Sequence, residues 1–394
     1  MKNNPTGRDR FESELRRLEE ENLLRGLSGL AEVEPPRITL GRNGNVLIDF
    51  ASNDYLGLSH HPLMKQAASH AVMKWGTGSR ASRLLSGDHP LYAILEQEIA
   101  RMKGCETSLV FGSGYLVNTG IIQALSGKNR VIIADRLVHA SIIDGIRLSG
   151  AEFRRFRHND LDHLEKILRE DQSCRPEDRL VVVEGVYSMD GDCADIAALL
   201  RLKKRYGFLL MVDEAHAVGI LGENGTGIVD QGKAGKIDLI VGTFGKALGS
   251  YGAYCAMNVT MRRYLVNKAR TLIFSTALPP AVLASSIEAL RLLPKLQDER
   301  TRLLKNAMEL REFIRSDLEM TSPGSTQILP IIVGSASRAL SLQKFLGSRG
   351  IFAPAIRPPT VPKGSERIRF SITADHGKKE IKILKQALRD FFHT

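Results

Sequence analysis

In GTFGKALGSYGAY (242–254) a lysine, Lys246, stands in a glycine-rich turn directly after the apolar run LIVGTF (239–244). Most lysines are solvated loop residues, but an amine at the end of a buried strand is partly desolvated, and such an amine forms Schiff bases with carbonyl compounds. A phosphate-binding P-loop is the weaker reading, because Gly242 and Gly245 stand too close together and Ala247 replaces the Ser/Thr that would hold magnesium. A second segment, VDEAHAVGILGENGTG (212–227), puts Asp213 at the end of another apolar run with His216 shortly after it. Asp-x-x-His can cap a helix start or supply half of a metal site, although no third ligand recurs nearby. A carboxylate there is also what a pyridinium nitrogen needs, since its charge keeps the ring protonated and able to draw electrons from a carbanion. One crossover connection is enough to deliver Asp213 and Lys246 to the same edge of a sheet.

Weaker signals surround these two. FGSGY (111–115) follows a strand-like run and opens a helical one, so the backbone N–H groups of Gly114 and Tyr115 can hold a phosphate at the positive end of the helix dipole. Taken alone, such glycine turns are common. His139 in DRLVHASIIDG reads by itself as a satisfied core histidine at a helix start. Arg357, just before PPTVP, is either an exposed loop arginine or a planar fork for a carboxylate. Cys105, Cys174, Cys193 and Cys255 are irregularly spaced, without a CxxC pair or a neighbouring histidine at ligand spacing, so neither a disulfide framework nor a zinc site is expected.

The elements that must position these residues read as α/β. SLVF (108–111), RVIIA (130–134), LVVVE (180–184), LLMVD (209–213) and LIVGTF are rich in β-branched residues without polar alternation, as strands covered on both faces are. Helical patterns near 115–125, 139–149, 160–170 and 195–206 supply crossovers, and sheets of this kind bind ligands at the carboxyl ends of their strands. Before them come an amphipathic helix over 8–25, a strand at 46–50, a helix from Pro62 to about Trp75 and a further helix that Asp88 can cap. Beyond about residue 290, a charged helix (297–318), ILPIIV (328–333), a helix near 337–348, RIRFSI (367–372) and a final helix near 378–392 read as a smaller α+β domain. The expected division is therefore 1–58, 59–290 and 291–394.

The 394 residues carry 55 Lys and Arg against 44 Asp and Glu, a net +11 that suits small acidic ligands as well as a plain basic surface. No basic run or aromatic platform supports nucleic-acid binding. No apolar run approaches the ~18 residues of a membrane span, and MKNNPTGRDRFESE has no hydrophobic signal core, so a cytoplasmic protein that binds neither membrane nor nucleic acid is expected.

Taken together, SNDYLGLSHHP, FGSGYLVNTG, DRLVHASIIDG, EGVYSMDGD, VDEAHAVGILG, GTFGKALG, FSTALPP and IRPPTVPKGSERIR resemble, in order and spacing, the pyridoxal-phosphate-dependent α-oxoamine synthases of fold type I, the aspartate-aminotransferase-like fold. The resemblance covers nearly the whole chain. It implies a large domain with a mainly parallel seven-stranded sheet and a smaller C-terminal domain. It implies that Lys246 binds pyridoxal 5'-phosphate and moves the substrate Cα proton, that Asp213 pairs with the ring nitrogen, that His216 and Ser188 contact the ring-oxygen side, and that His139 stacks on the ring. Gly114, Tyr115 and Thr243 would hold the phosphate, joined by Thr276 from a partner subunit, which implies a homodimer with a shared active site. Arg357 would grip the amino-acid carboxylate, Arg25 the acyl substrate, and Asn53 and Thr360 would lie near substrate. The reaction implied is decarboxylative condensation of an amino acid with an acyl thioester. Within the family, IRPPTVPKGSERIR and SNDYLGLSHHP most resemble members joining L-alanine to a pimeloyl thioester, carried on coenzyme A or an acyl carrier protein. Members using glycine and acetyl-CoA are the near alternative, and a non-catalytic pyridoxal-binding regulator is the remote one.

Overall fold

A computed structural model of the chain describes residues 7–41, 44–171 and 173–393. Strands β1 (Leu30–Glu34), β2 (Arg37–Leu40) and β3 (Asn45–Asp49) come first. Seven more form one sheet: β4 (Thr107–Phe111), β5 (Val131–Asp135), β6 (Glu152–Phe156), β7 (Arg179–Glu184), β8 (Leu209–Asp213), β9 (Leu239–Thr243) and β10 (Ala253–Met257), in the order β4-β10-β9-β8-β7-β5-β6. Strands β9, β8, β7, β5 and β6 pair in parallel, while β10 runs antiparallel to both β9 and β4. The expected seven-stranded, mainly parallel sheet is thus present, and the chain has the α/β fold its apolar runs imply.

These strands form because their residues lose water on both faces. β5, β7, β9 and β10 are buried along their whole length. Helices Gly114–Leu125 and Ala140–Ser149 press Val117, Ile121, Ile122, Ile142 and Ile146 onto Leu109, Ile132, Val182 and Met211 in one core. At about 25 cal/mol per Å2 of apolar surface, each such side chain contributes roughly 1.5–3 kcal/mol of burial, which only tertiary packing supplies to helices this short.

Two strands of the sheet are not evident in the sequence. EFRRF is the edge strand β6, where one outer row faces solvent and tolerates charge. AYCAM is β10, whose small residues lack the β-branched signature yet fit a fully covered position. The first helix is also shorter than its pattern, Gly7–Glu20: Asn22 takes φ 57°, and the N–H groups of Leu23 and Leu24 turn back to the Leu18 carbonyl. Asp88 does not cap the third helix. His89 does, accepting from the Leu91 N–H, because Pro90 fills the first helical position and Asp88 is drawn to Arg83 at 2.8 Å.

The chain divides into two compact units. One comprises Asn53–Ser188 and Asp192–Arg302; the other comprises Met189–Gly191 with the described parts of Met1–Ser52 and Leu303–Thr394. The N-terminal strands are therefore part of the same unit as the C-terminal segment. In that unit, β1, β2 and β3 join β12 (Ile351–Phe352), and β11 (Ile328–Ile332) pairs with β14 (Arg367–Ser371), which pairs with β13 (Ala355–Ile356).

Candidate active site

Because β4, β5, β7, β8 and β9 run the same way, the loops after them share one edge of the sheet. Asp213 ends β8 and is buried; Lys246 lies in the turn after β9; Glu184 ends β7 directly opposite Asp213 in register. His139 caps the helix after β5, and Gly114 opens the helix after β4. Asp213 and Glu184 are the last residues of their strands, so their carboxylates face the site while their backbones stay in the ladder; Lys246, His139 and Gly114 follow within the next few residues of theirs.

Asp213 is fixed by donors on both oxygens: Asn118 Nδ2 donates to Oδ2 at 2.8 Å, and the Ala215 N–H donates to Oδ1 at 2.9 Å. Such bonds fix the direction in which a buried carboxylate points. Asn118 Nδ2 also reaches Ser141 Oγ at 3.0 Å, and Ser141 Oγ lies 2.8 Å from His139 Nδ1. The Ser141 N–H donates to that same nitrogen, so Nδ1 accepts and His139 carries its proton on Nε2 in the neutral ring. The ring keeps an exposed outer surface, yet crowding around it holds its pKa below the ordinary histidine value; the Asp213 carboxylate opposes this shift and the Lys246 ammonium adds to it.

Lys246 Nζ lies 2.7 Å from His216 Nε2, and His216 Nδ1 lies 2.7 Å from the buried Tyr55 hydroxyl, itself 3.1 Å from Asn53 Oδ1. An ammonium only donates, so Nε2 accepts, Nδ1–H donates to the Tyr55 oxygen, and the Tyr55 hydroxyl donates to Asn53. The lysine turn is seated on the same segment: Gly249 has φ 58°, and a Cβ there would lie 2.3 Å from the Ser59 nitrogen.

Glu184 is almost fully buried, and burial together with the nearby Asp213 charge pushes its pKa up to about 8, against the pull of Lys246. Its Oε2 accepts from the Ser188 N–H at 3.3 Å, which places Ser188 in the same cluster. At the other end, Ser113 caps the helix Gly114–Leu125 through the Leu116 N–H, leaving the amides of Gly114 and Tyr115 in the first turn without an intrahelical acceptor. A Cβ on Gly114 would stand 3.9 Å from Thr243 Oγ1, so this turn and Thr243 face each other. Thr243 Oγ1 donates to the Gly252 carbonyl and accepts from the Gly245 N–H.

The structure thus gathers Lys246, Asp213, His139, His216, Ser188, Asn53, Gly114 and Thr243 within one unit. Tyr115 extends outward, half exposed, with its hydroxyl on Asp144. Thr276 is exposed, bridged to Ser82, and among the described residues is not hydrogen-bonded into the cluster. The remaining three residues lie in the other unit, where two arginines clasp each other's segments. Arg25 Nη2 donates to the carbonyls of Arg357 and Pro358 at 3.3 and 2.7 Å; Arg357 donates to those of Asn22 and Leu24. Burial, then the Arg25 charge, lowers the Arg357 pKa from its ordinary value. Thr360 is exposed and closes a turn onto the Arg357 carbonyl.

Four residues of the cluster escape a reading of the sequence: Tyr55, Asn118, Ser141 and Glu184. Glu184 carries the same signal as Asp213, an acid ending an apolar run. Asn118 stands one helical turn after Gly114, on the same face.

The site fits a phosphorylated pyridine aldehyde. It offers an amine, a fixed carboxyl group suited to a ring nitrogen, a neutral imidazole and a helix N-terminus opposite a hydroxyl. Buried Asn118 Oδ1 and Glu184 Oε1 also lack a protein partner among the described residues, as expected where a polar ligand completes the set.

Such an arrangement defines a class. Residues 45–388 match the class I and II aminotransferase family, and the chain belongs to it. Among curated relatives, the chain is 46% identical to the 8-amino-7-oxononanoate synthase of Geobacter sulfurreducens, over 93% of this chain and 94% of that protein. It superposes on the 8-amino-7-oxononanoate synthase of Francisella tularensis with a TM-score of 0.75 at 29% identity, covering 88% of this chain and 99% of that one. It also superposes on a lysine-to-alanine variant of serine palmitoyltransferase from S. paucimobilis, a structure with a bound PLP–myriocin aldimine, with a TM-score of 0.89 at 30% identity, covering 97% of this chain and 96% of that one. No helix among the described residues is long and apolar enough to cross a membrane.

Proposed function

We propose that this chain is a pyridoxal-phosphate-dependent acyltransferase that condenses L-alanine with a pimeloyl thioester, giving 8-amino-7-oxononanoate, carbon dioxide and the free thiol. The observation that carries the reading is the convergence of Lys246, Asp213 and His139 on one sheet edge, in a chain 46% identical to a synthase of that product. When bound, the cofactor supplies an electron sink for the two carbanions that the condensation and the decarboxylation require.

The chain's own residues do the rest. Lys246 holds the cofactor through its amine and, once released from it, takes and returns the substrate Cα proton. His216, tied to Tyr55, keeps Lys246 in place while it does so. Asp213 keeps a proton on the ring nitrogen and is itself held by Asn118 and the Ala215 amide, so no reorganisation is needed as charge develops. His139 covers one face of the ring, with Ser141 fixing its tautomer, and Ser188 and His216 line the ring-oxygen side. Gly114, Tyr115 and Thr243 take the phosphate, with Thr276 contributed by a partner subunit in a homodimer. Arg357 takes the amino-acid carboxylate, Arg25 the acyl substrate, and Asn53 and Thr360 flank them. The thioester is carried on coenzyme A or an acyl carrier protein.

Substrate choice here turns on small differences, since one methyl group changes binding by only about 1–3 kcal/mol. The test is thiol release from alanine or glycine, each paired with pimeloyl-CoA or acetyl-CoA. Release with alanine plus pimeloyl-CoA is expected. Fast release with glycine plus acetyl-CoA alone would overturn the assignment.

A further inference from the structure

His158, which none of the roles above uses, lies between two carboxylates from different parts of the chain. Its Nδ1 is 3.0 and 3.2 Å from the two oxygens of Asp135, and its Nε2 is 2.8 Å from Asp192 Oδ2. A carboxylate accepts, so both ring nitrogens must donate, which is the charged imidazolium. Against the burial that would lower it, the two carboxylates raise the histidine pKa to about 10. The ring also stands edge-on to Tyr187, with centroids 4.4 Å apart at 89°.

Both partners lead directly to the active site. Asp135 ends β5, has a fully buried side chain and caps the Leu137 N–H at 2.8 Å, at the start of the segment that carries His139. Asp192 closes the turn after β7, its carbonyl accepting from the Tyr187 N–H, and Ser188 is the next residue. Asn159 doubles the link, its N–H on Asp135 and its side-chain amide on Asp192, and it holds φ 51° to do so. A left-handed asparagine is an uncommon conformation that persists where surrounding contacts demand it.

We infer that His158 is a positioning residue whose imidazole, bonded to carboxylates at both nitrogens, bolts the Asp135–His139 segment to the turn carrying Tyr187 and Ser188, setting the spacing of His139 and Ser188. The inference deepens the proposed function and rests on it for the roles of those two residues. Through these bonds the imidazole, doubled by Asn159, ties together two segments that have no covalent reason to move together.

The test uses the full-length protein, with His158→Ala and the milder Asp192→Asn, which takes the charge from one arm, leaving a weaker amide acceptor, without leaving two unpaired carboxylates. Two quantities are measured: backbone hydrogen exchange without added cofactor, and the dissociation constant for pyridoxal phosphate. His158→Ala is expected to speed exchange at Leu137 and Ser188 together by at least tenfold and to weaken cofactor binding by a similar factor. Added imidazole should restore both. Asp192→Asn should speed exchange at Tyr187 and Ser188 by a smaller factor. Faster exchange confined to 157–160, with cofactor binding unchanged, would overturn the inference. A wild-type protein that binds no pyridoxal phosphate would instead remove the proposed function, while the exchange data would still decide whether the bolt exists.

Discussion

Asn118 Nδ2 donates to Asp213 Oδ2 across 2.8 Å in a buried setting, so a helix residue holds the acid proposed to face the ring nitrogen. The same amide continues through Ser141 to His139, so one side chain links the carboxylate and the imidazole to which the proposed function gives the ring nitrogen and the ring face.

Asn118→Leu removes that donor and leaves a buried carboxylate oxygen short of a partner, a loss of about 1–3 kcal/mol. Pyridoxal phosphate affinity should fall roughly tenfold to a hundredfold, as read by fluorescence titration. Asn118→Asp should be worse, because it sets two carboxylates together.

Gly249→Ala forces a Cβ to within 2.3 Å of the Ser59 nitrogen at a φ of 58°. Backbone cannot retreat as a flexible side chain can, so a loss of about 3 kcal/mol or more is expected, with a lowered melting temperature. Gly127→Ala meets nothing within 4 Å and should change stability by no more than about 0.5 kcal/mol.

Glu184 gives stability a pH dependence of defined sign. Its pKa is raised in the fold to about 8, so between about 4.5 and 8 the folded state binds more protons than the unfolded one, and stability contributed by this group declines as pH rises through that window. Melting curves of unloaded protein at pH 5.5 and 8.5 should converge in Glu184→Gln relative to wild type. An unchanged gap between the two curves would show that Glu184 is not the group responsible.

His376 acts in the opposite direction. Stacked on Phe50 at 4.2 Å, accepting from the Thr373 N–H and donating to the Asp49 carbonyl, it is held neutral by burial, with its pKa lowered to about 4. The folded state therefore binds fewer protons than the unfolded one between about 4 and 6.5, and stability is lost as pH falls through that range. Acid titration followed by near-ultraviolet circular dichroism should show this loss, and it should be reduced in His376→Gln.

Much of this was legible in the residues themselves. Asp213 ends an apolar run and Lys246 follows one within a glycine turn, and a charge at the end of a buried strand is a local signal. The sheet's buried strands announced themselves in the same way, whereas β6 hid behind its arginines as an edge strand and β10 behind small side chains. Partners brought together by tertiary folding were not legible. Tyr55 meets His216 from far away in sequence, and Asn118 is an ordinary helix residue until the strand carrying Asp213 is laid beside it. Asp88 misled because capping preference was read without the competing Arg83.

The central claim is that the Lys246 amine, facing Asp213 and His139, holds pyridoxal phosphate. Reconstituted protein should be reduced with borohydride, digested and mapped by mass spectrometry. A pyridoxyl group on Lys246, absent from Lys246→Ala along with turnover, is the expected result; a label on another lysine, or none, would contradict the account.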